Sequence, residues 1–475
     1  MSARPGALAL VLHSHMPYVE GFDTWPFGEE WLWEAVACVY LPLLEVLDGA
    51  PLTLGLTPVL CDQLEAMPDG AGERCMRFLR EMRRTVHELD SAALDEQGEQ
   101  RLAAELRRAA ADYESAAGEL ERRSLDVLNA FAALERVELW TSAATHALLP
   151  LMATTAGLRL QLATGIASHT RRFGAWGGGL WLPECAYAPG LEHDLADDGV
   201  RAFCVDQTAA WGLGAPEHLR PVQTEAGPVA VPIDWQTVEL VWHSENGYPA
   251  DGRYRNYHQR TVHDLRPWDN AGRPYDRDAA LAAAREHARH FVSRARERVA
   301  DGGLLCCAVD TELLGHWWYE GPAWLAAVLR EARDQGLEMV TVSEGLEQVE
   351  AAPAPLQAST WGTGKDLSTW DSPPVAEIAF AARSAELRTV AAAALHPRPR
   401  EALARAAREL LALQSSDWAF LVTRGLAADY GWKRSRSHDA GNLEALRALS
   451  GEGPAPEPGL RSLAPDLHLA SLTTP

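Results

Sequence analysis

Short apolar runs alternate with helix-like stretches along most of the chain, and this alternation limits the possible folds more than any other feature. The first run ends at His15, and an amphipathic stretch separates it from the run 52–57. A strand, a helix and a second strand in this order are typical of a parallel sheet. Further strand-like runs are residues 137–140, 179–182, 202–205, 304–309 and 339–342. At least six strand candidates favour a barrel, although spacing alone leaves a doubly wound fold open.

Two long segments have helical rather than strand-like character. Residues 76–135 are rich in Arg, Glu and Ala, with apolar residues at helical spacing, which predicts a helical insertion. Residues 376–450 are again helical, and the stretch 351–374, rich in Pro, Gly, Ser and Thr, indicates a boundary or an active-site loop. The predicted segments are 1–66 (first part of the barrel), 67–136 (helical insertion), 137–350 (second part, with the catalytic residues) and 351–475 (linker and C-terminal helical domain, ending in a mobile tail).

Charge and cysteine usage narrow the class of protein. A net charge of −23 argues against a nucleic-acid partner, because phosphate backbones bind basic surfaces. The seven cysteines are odd in number, lack a Cys-x-x-Cys pair and mostly lie in apolar runs, which indicates a reducing compartment. No apolar stretch reaches the roughly 18 to 20 residues that span a bilayer. We therefore expect a cytoplasmic protein without a membrane partner.

Two carboxylates are the most informative candidates for chemistry. Glu184 and Asp310 each follow an apolar, strand-like run and lie among aromatic residues such as Trp181, Tyr187 and Trp317. Taken singly, each could be an ordinary acidic residue at the start of a helix. Together they match the way a barrel places two acids at one rim, where aromatic faces stack on sugar rings. The pair predicts carbohydrate chemistry.

The pair His13 and His15 allows three interpretations. Alternate residues of a strand point to one face, so both imidazoles could bind a metal. The remaining candidate ligands are isolated histidines, namely His146, His169, His243 and His316, which disfavours a metal site. One of the pair could instead donate a hydrogen bond to a sugar hydroxyl, or both could pack under a loop.

The chain contains 17 tryptophans, and several of them are expected to line a cleft. These lie near glycines, prolines or acids rather than within apolar runs, where core residues are usual. They are Trp25, Trp31, Trp33, Trp176, Trp242, Trp361, Trp370 and Trp418.

With these motifs in view, the chain resembles the family 57 glycoside hydrolases, in particular their α-1,4-glucan branching-enzyme-like members. The resemblance covers nearly the whole sequence and rests on motifs that occur in order. They are residues 13–18, 26–32, 144–146, 181–187, 241–242, 247–249, 310–312, 315–318, 341–344 and 415–418.

The resemblance implies an α/β fold, a distorted TIM-like (β/α)₇ barrel with a helical insertion and an all-helical C-terminal domain. It also implies a retaining mechanism with Glu184 as nucleophile and Asp310 as acid/base, and no metal or organic cofactor. Expected substrate-binding residues are His13, His15, Trp25, His146, Trp181, Tyr187, Trp242, His316, Trp317, Trp361, Asp417 and Trp418. The expected partner is an α-1,4-glucan bound by a monomer or homodimer.

The chain departs from the family pattern at three places. The connection from Tyr257 to the helix near Asp278 is short, the segment after Trp361 is poor in aromatic residues, and no tyrosine lies between Tyr187 and Tyr248, where the family has a mobile-loop tyrosine. A branching enzyme is the preferred interpretation. A hydrolase of the same family with weak transfer, a catalytically silent glucan-binding protein and a metal-dependent deacetylase stay open.

Overall fold

The computed structural model describes residues 5–22, 27–396, 401–451, 460 and 462–473. Its strands are β1 (Ala7–Ser14), β2 (Leu52–Leu56), β3 (Val137–Ser142), β4 (Gly179–Trp181), β5 (Ala202–Val205), β6 (Val222–Gln223), β7 (Val229–Pro232), β8 (Leu304–Asp310) and β9 (Met339–Val340). The α-helices are α1 (Glu29–Ala35), α2 (Leu41–Leu47), α3 (Pro58–Glu65), α4 (Gly72–Arg77), α5 (Arg83–Glu96), α6 (Gln100–Arg122), α7 (Val127–Ala132), α8 (Thr155–Phe173), α9 (Leu191–Asp197), α10 (Thr208–Trp211), α11 (Trp235–Trp242), α12 (Arg277–Arg298), α13 (Gly321–Gln335), α14 (Val342–Gln348), α15 (Ala376–Leu395), α16 (Glu401–Leu413), α17 (Ser416–Thr423) and α18 (Tyr430–Leu449).

The strands form one closed, mainly parallel sheet. They follow the order β6-β7-β5-β4-β3-β2-β1-β8, with β9 also paired to β1, and the β6–β7 pair is antiparallel. The two ends of this order meet where the backbone N–H of Asp234, just after β7, donates to the carbonyl of Cys306 in β8 at 2.9 Å. Strands β1 to β5, β7 and β8 therefore form the predicted distorted (β/α)₇ barrel, which confirms the fold class.

Apolar composition explains why these strands lie at the centre of the molecule. Every residue of β1 and β2 is buried, as expected for parallel strands whose outer face is covered by helices. The runs predicted as β1 to β5, β8 and β9 are strands in the structure. Strands β6 and β7 were not predicted, because Pro and Gly residues interrupt the stretch 221–232 and are typical of turns.

Two helical regions flank the barrel, as predicted. Helices α4 to α7 lie between β2 and β3 and form the insertion, in which α5 packs against α6. Helices α15 to α18 follow the last strand, and α18 packs against α15, α16 and α17. The exact boundaries of the four predicted segments stay predictions.

The prediction of a mobile tail is wrong for the end of the described chain. Leu463, Ala464 and Leu472 are buried in the core of the C-terminal helices. The backbone N–H of Ala464 also donates to Asp62 of α3 at 2.7 Å. Local Pro and Gly content suggested mobility, but these apolar side chains gain more by burial. The Pro-rich residues 452–459 lie outside the described residues.

All seven cysteines are unpaired, and six of them are buried. Within the described ranges, no helix has both the length and the apolar character that crossing a membrane requires.

Candidate active site

The carboxyl ends of neighbouring strands bring the predicted site residues together. In the parallel register, His13 of β1 lies opposite Asp310 of β8 on one side and opposite Gly55 of β2 on the other. His146 follows β3, and Glu184 follows β4. Because parallel strands end at one edge of the barrel, residues far apart in the sequence face one cleft.

Glu184 occupies a turn with an unusual backbone conformation. It lies in a 3₁₀ turn, Pro183–Cys185, and its φ is 58°, in the left-handed region that most residues avoid. Its carboxylate accepts hydrogen bonds from Trp361 Nε1 to Oε2 at 2.8 Å and from Ser416 Oγ to Oε1 at 3.0 Å. Strain of this kind is retained where the surroundings fix a functional group. Both carboxylate oxygens of Glu184 are thus held by donors.

A chain of hydrogen bonds connects Glu184 to His13. Ser416 Oγ donates to Glu184, so its other contact, His146 Nδ1 at 2.9 Å, must be the donor to Ser416. His146 Nε2 is then an acceptor, and His13 Nε2 donates to it at 2.9 Å. Burial lowers the pKa of both imidazoles well below 6.5, which agrees with these neutral tautomers. The network orients Ser416 to donate to Glu184.

His15 carries the positive charge of the site. Its Nε2 lies 2.9 Å from Asp417 Oδ2, and its ring stacks on His146 with centroids 4.0 Å apart. Burial opposes a charge on His15, but Asp417 and the nearby carboxylates outweigh burial and raise its pKa. Burial likewise opposes a charge on Asp417, yet the ion pair lowers the pKa of this carboxyl to about 2. The contact therefore favours the charged form of both partners.

The surroundings of Asp310 favour the protonated form of its carboxyl. Burial raises its pKa well above the usual range, and the negative charges of Glu312, Glu184 and Asp417 raise it further. Burial also raises the pKa of Glu184, but the hydrogen bonds from Trp361 and Ser416 counteract burial. The surroundings therefore favour the protonated form of Asp310, whereas the two donors stabilise the carboxylate of Glu184.

One group of side chains could hold a metal ion. His15, His146 and Asp417 each offer a ligand atom, and these atoms lie within 4.8 Å of one another. The same atoms already bond to one another or to Ser416, so a cation would have to replace the His15–Asp417 ion pair. The expectation that no metal is needed stays a prediction, which metal analysis of the purified protein tests.

Three of the predicted sugar-contacting aromatic residues require correction. Trp418 and Trp181 are 0% exposed, and Tyr187 is 2% exposed, so none offers a face to a ligand. Trp181 instead stacks on His13 with centroids 4.6 Å apart and meets the edge of Trp361 at 5.0 Å. Neighbouring polar residues suggested exposure, but tertiary packing buries these rings. These three rings are part of the protein core.

The other predicted aromatic residues have different surroundings. Trp361 contacts Glu184 directly, through the hydrogen bond from its indole. Trp242 and Trp317 are 44% and 45% exposed, and Trp317 packs against Tyr257 with centroids 4.5 Å apart. His316 lies beside the same tyrosine at 5.8 Å. A role of these residues in sugar binding stays a prediction, and Trp25 lies outside the described residues.

Replacing Trp418 by alanine tests its assignment to the core. Its Nε1 donates to the carbonyl of Ala412 at 2.7 Å, and the guanidinium of Arg434 lies 4.5 Å from its ring centroid. Truncation of a buried tryptophan costs about 3 to 5 kcal/mol in the free energy of unfolding. We expect that loss in urea unfolding, with an unchanged ratio of transfer to hydrolysis per folded molecule. A selective loss of transfer without destabilisation would contradict the core assignment.

Sequence reasoning did not identify several residues that complete the site. Ser416 bonds to Glu184, and Glu312 accepts from the backbone N–H of His15 at 3.2 Å and from Tyr40 Oη at 2.6 Å. Glu312 and Ser416 lie within two positions of the predicted site residues Asp310 and Asp417, and this proximity could have identified them. Tyr40 lies within a helical stretch, with no predicted site residue so close to it in the sequence.

Comparison with known proteins identifies the family of the chain. Residues 9–354 match the model of glycosyl hydrolase family 57. The chain belongs to this family. Residues 381–464 match a second model, 1,4-alpha-glucan branching enzyme, C-terminal. The family assignment made from the sequence motifs is thereby confirmed.

Individual relatives within family 57 match along most of the chain. A 1,4-alpha-glucan branching enzyme of Thermococcus kodakarensis is 33% identical, over 91% of this chain and 72% of the relative. A probable 1,4-alpha-glucan branching enzyme of Mycobacterium tuberculosis is 32% identical, over 94% of this chain and 93% of the relative. A family 57-type branching enzyme from Pyrococcus horikoshii has a similar crystal structure, with a TM-score of 0.88, 29% identity and coverage of 98% and 96%.

Proposed function

We propose that this protein is a retaining 1,4-α-glucan branching enzyme that cuts an α-1,4-glucan and transfers the cut chain to a 6-hydroxyl. The observation that carries the chemistry is the hold on Glu184, whose two oxygens accept hydrogen bonds from Trp361 and Ser416. The surroundings of Asp310 raise the pKa of its carboxyl, which suits a general acid. The match of residues 381–464 to a branching-enzyme model and the relatives of that name support transfer as the outcome.

The reaction proceeds in two displacements. Glu184 attacks the anomeric carbon while Asp310 protonates the glycosidic oxygen, so the bond to the leaving chain breaks and a glycosyl ester forms. Asp310, now a carboxylate, accepts the proton of an acceptor 6-hydroxyl as that oxygen attacks the same carbon. The ester bond breaks, Glu184 is regenerated, and configuration is retained. This mechanism predicts carboxyl groups roughly 5 to 5.5 Å apart in the substrate complex.

Incubation with amylose separates the candidate functions. We expect new α-1,6 linkages, measured by NMR, without a proportionate increase in reducing ends. Reducing ends without new linkages would indicate a hydrolase, and neither product would indicate a binding protein. Either outcome contradicts the proposal.

Glu312 provides a test of the proton on Asp310. Burial raises the pKa of Glu312 to about 7, so above neutral pH its charge helps Asp310 to retain a proton. In Glu312→Gln that charge is lost, and the pKa of Asp310 falls. We expect the alkaline limb of the kcat profile to move down by about 1 pH unit. The control Glu297→Gln, at an exposed site, should leave the alkaline limb unchanged. If the limb is also unchanged in Glu312→Gln, the charge of Glu312 does not act on Asp310.

Location and partners are part of the same proposal. Unpaired, mostly buried cysteines support a reducing compartment, so we place the enzyme in the cytoplasm. The acidic charge of −23 supports an uncharged glucan rather than a nucleic acid as partner. The predicted monomer or homodimer is tested by light scattering.

A further inference from the structure

Residues 357–370, which we call the strap, cross the carboxyl ends of successive barrel strands. Ser359 pairs with Tyr187 through two backbone hydrogen bonds, and the backbone N–H of Trp361 donates to the carbonyl of Glu184 at 2.9 Å. Trp361 Nε1 donates to the Glu184 carboxylate as well. The strap therefore holds both the main chain and the side chain of the candidate nucleophile.

The strap contains one of only two lysines in a chain with 43 lysine and arginine residues. Lys365 Nζ lies 2.8 Å from Asp206 Oδ2, and this carboxylate follows β5 and is 0% exposed. Nζ also lies 3.1 Å from the ring centroid of Trp235, which follows β7, and 3.4 Å from the carbonyl of Trp361. The ammonium thus contacts a carboxylate, a ring face and a backbone carbonyl at once.

Lys365 also fixes the turn that presents Trp361. Its backbone N–H donates to the carbonyl of Gly362 at 3.0 Å, and its carbonyl accepts from the N–H of Thr360 at 3.2 Å. The φ of Lys365 is 57°, a left-handed conformation that a side chain with a Cβ rarely adopts unless it is held. The anchored ammonium provides that hold, one turn away from the indole that donates to Glu184.

We propose that Lys365, anchored by Asp206 and Trp235, is a positioning residue that keeps Trp361 bonded to Glu184. The proposal rests on the proposed function, because Glu184 is the nucleophile of that reaction. Lys365 does not touch the substrate; it acts on turnover through the indole of Trp361.

The test uses Lys365→Met, which keeps the length of the apolar stem and removes the charge. Since this change leaves the buried carboxylate of Asp206 without its cationic partner, the double variant Lys365→Met with Asp206→Asn accompanies it. Asparagine retains an oxygen for the N–H of Thr208, which Asp206 binds at 2.8 Å. We expect the double variant to melt near the wild-type temperature. In both variants kcat should fall about 10- to 100-fold with KM within about twofold, as a misplaced catalytic group would cause.

A pH profile separates positioning from general structural damage. The Trp361 hydrogen bond lowers the pKa of Glu184, so its loss should move the acid limb of the kcat profile to higher pH. Trp361→Phe should reproduce that shift. Lys433→Met is the matched control, because Lys433 pairs with Asp429 on the surface at 3.2 Å. Its kcat and pH profile should equal those of the wild type.

Amine labelling tests the anchor without any activity measurement. Reductive methylation followed by mass spectrometry should label Lys433, which is 62% exposed, and spare Lys365. Burial lowers the pKa of Lys365, so its protection would reflect the contacts of Nζ rather than a shortage of free amine. Equal labelling of both lysines overturns the anchor. A folded double variant with wild-type kcat overturns the positioning role, whereas a wild type that forms no α-1,6 linkages overturns the proposed function alone.

Discussion

Glu184→Gln is expected to lower kcat by about 10⁴-fold or more while glucan binding stays close to that of the wild type. An amide keeps the shape of the side chain but is no longer a nucleophile. It also fits the site: its oxygen can accept from Trp361 Nε1, and its NH₂ group can face Ser416, whose hydroxyl can rotate to accept. Turnover on amylose and glucan binding by calorimetry provide the two measurements.

Two controls make this result specific. Because Glu184 is partly buried and its pKa is raised, a neutral amide removes the desolvation of a charge, and the melting temperature should not fall. Glu192→Gln changes the second residue of α9, where Glu192 accepts a hydrogen bond from Tyr187 Oη at 2.7 Å. It should retain most of the activity. More than about a tenth of wild-type activity in Glu184→Gln would contradict the nucleophile assignment.

The barrel could be predicted because most of its strands are marked by a local pattern of apolar residues. Each central strand is an apolar run, and Glu184 and Asp310 each follow one, so the strand rule alone placed both acids at one edge. The two strands that were not predicted, β6 and β7, lie in a stretch that Pro and Gly residues interrupt. In the structure β7 pairs with β5, and β6 pairs with β7, so contacts between distant segments define both strands.

Long-range contacts explain most of what the sequence did not reveal. Ser416 reaches Glu184 across 232 positions, and Tyr40 reaches Glu312 across 272, so no local pattern indicates either bond. Tryptophan burial is equally non-local. Trp361 and Trp418 have similar polar neighbours in the sequence, yet one donates to Glu184 and the other is enclosed by the C-terminal helices. The residues next to a tryptophan in the sequence therefore do not show whether it lines the cleft or lies in the core.

The sequence sets a requirement on the ionisation of Asp310 without revealing which groups meet it. A free aspartic acid has a pKa of about 3.9, so a general acid at this position needs burial or neighbouring negative charge. The structure provides both, and two of the contributing charges, Glu312 and Asp417, come from different parts of the chain. The acid role of Asp310 can be tested by replacing this residue.

Asp310→Ala should lose most activity on amylose and much less on activated glucosides. General-acid help is worth about 10² to 10⁴ when the leaving group is a sugar hydroxyl, and it matters little when the leaving group departs without a proton. We therefore expect formation of the glycosyl ester from an aryl glucoside at a near-normal rate, visible as a burst of released phenol. A uniform loss on both donors would exclude the acid role.

The second step should then be slow, because no base remains to accept the proton of the acceptor hydroxyl. Azide needs no deprotonation, so it should restore turnover in Asp310→Ala and yield a glycosyl azide of retained configuration. In Glu184→Gln the retained azide should not form, since that variant lacks the oxygen that makes the ester, and direct attack of azide on the anomeric carbon would invert the configuration. If azide gave the inverted product in Asp310→Ala, the nucleophile would not have formed an ester, and the double displacement assigned to the two carboxylates would be wrong.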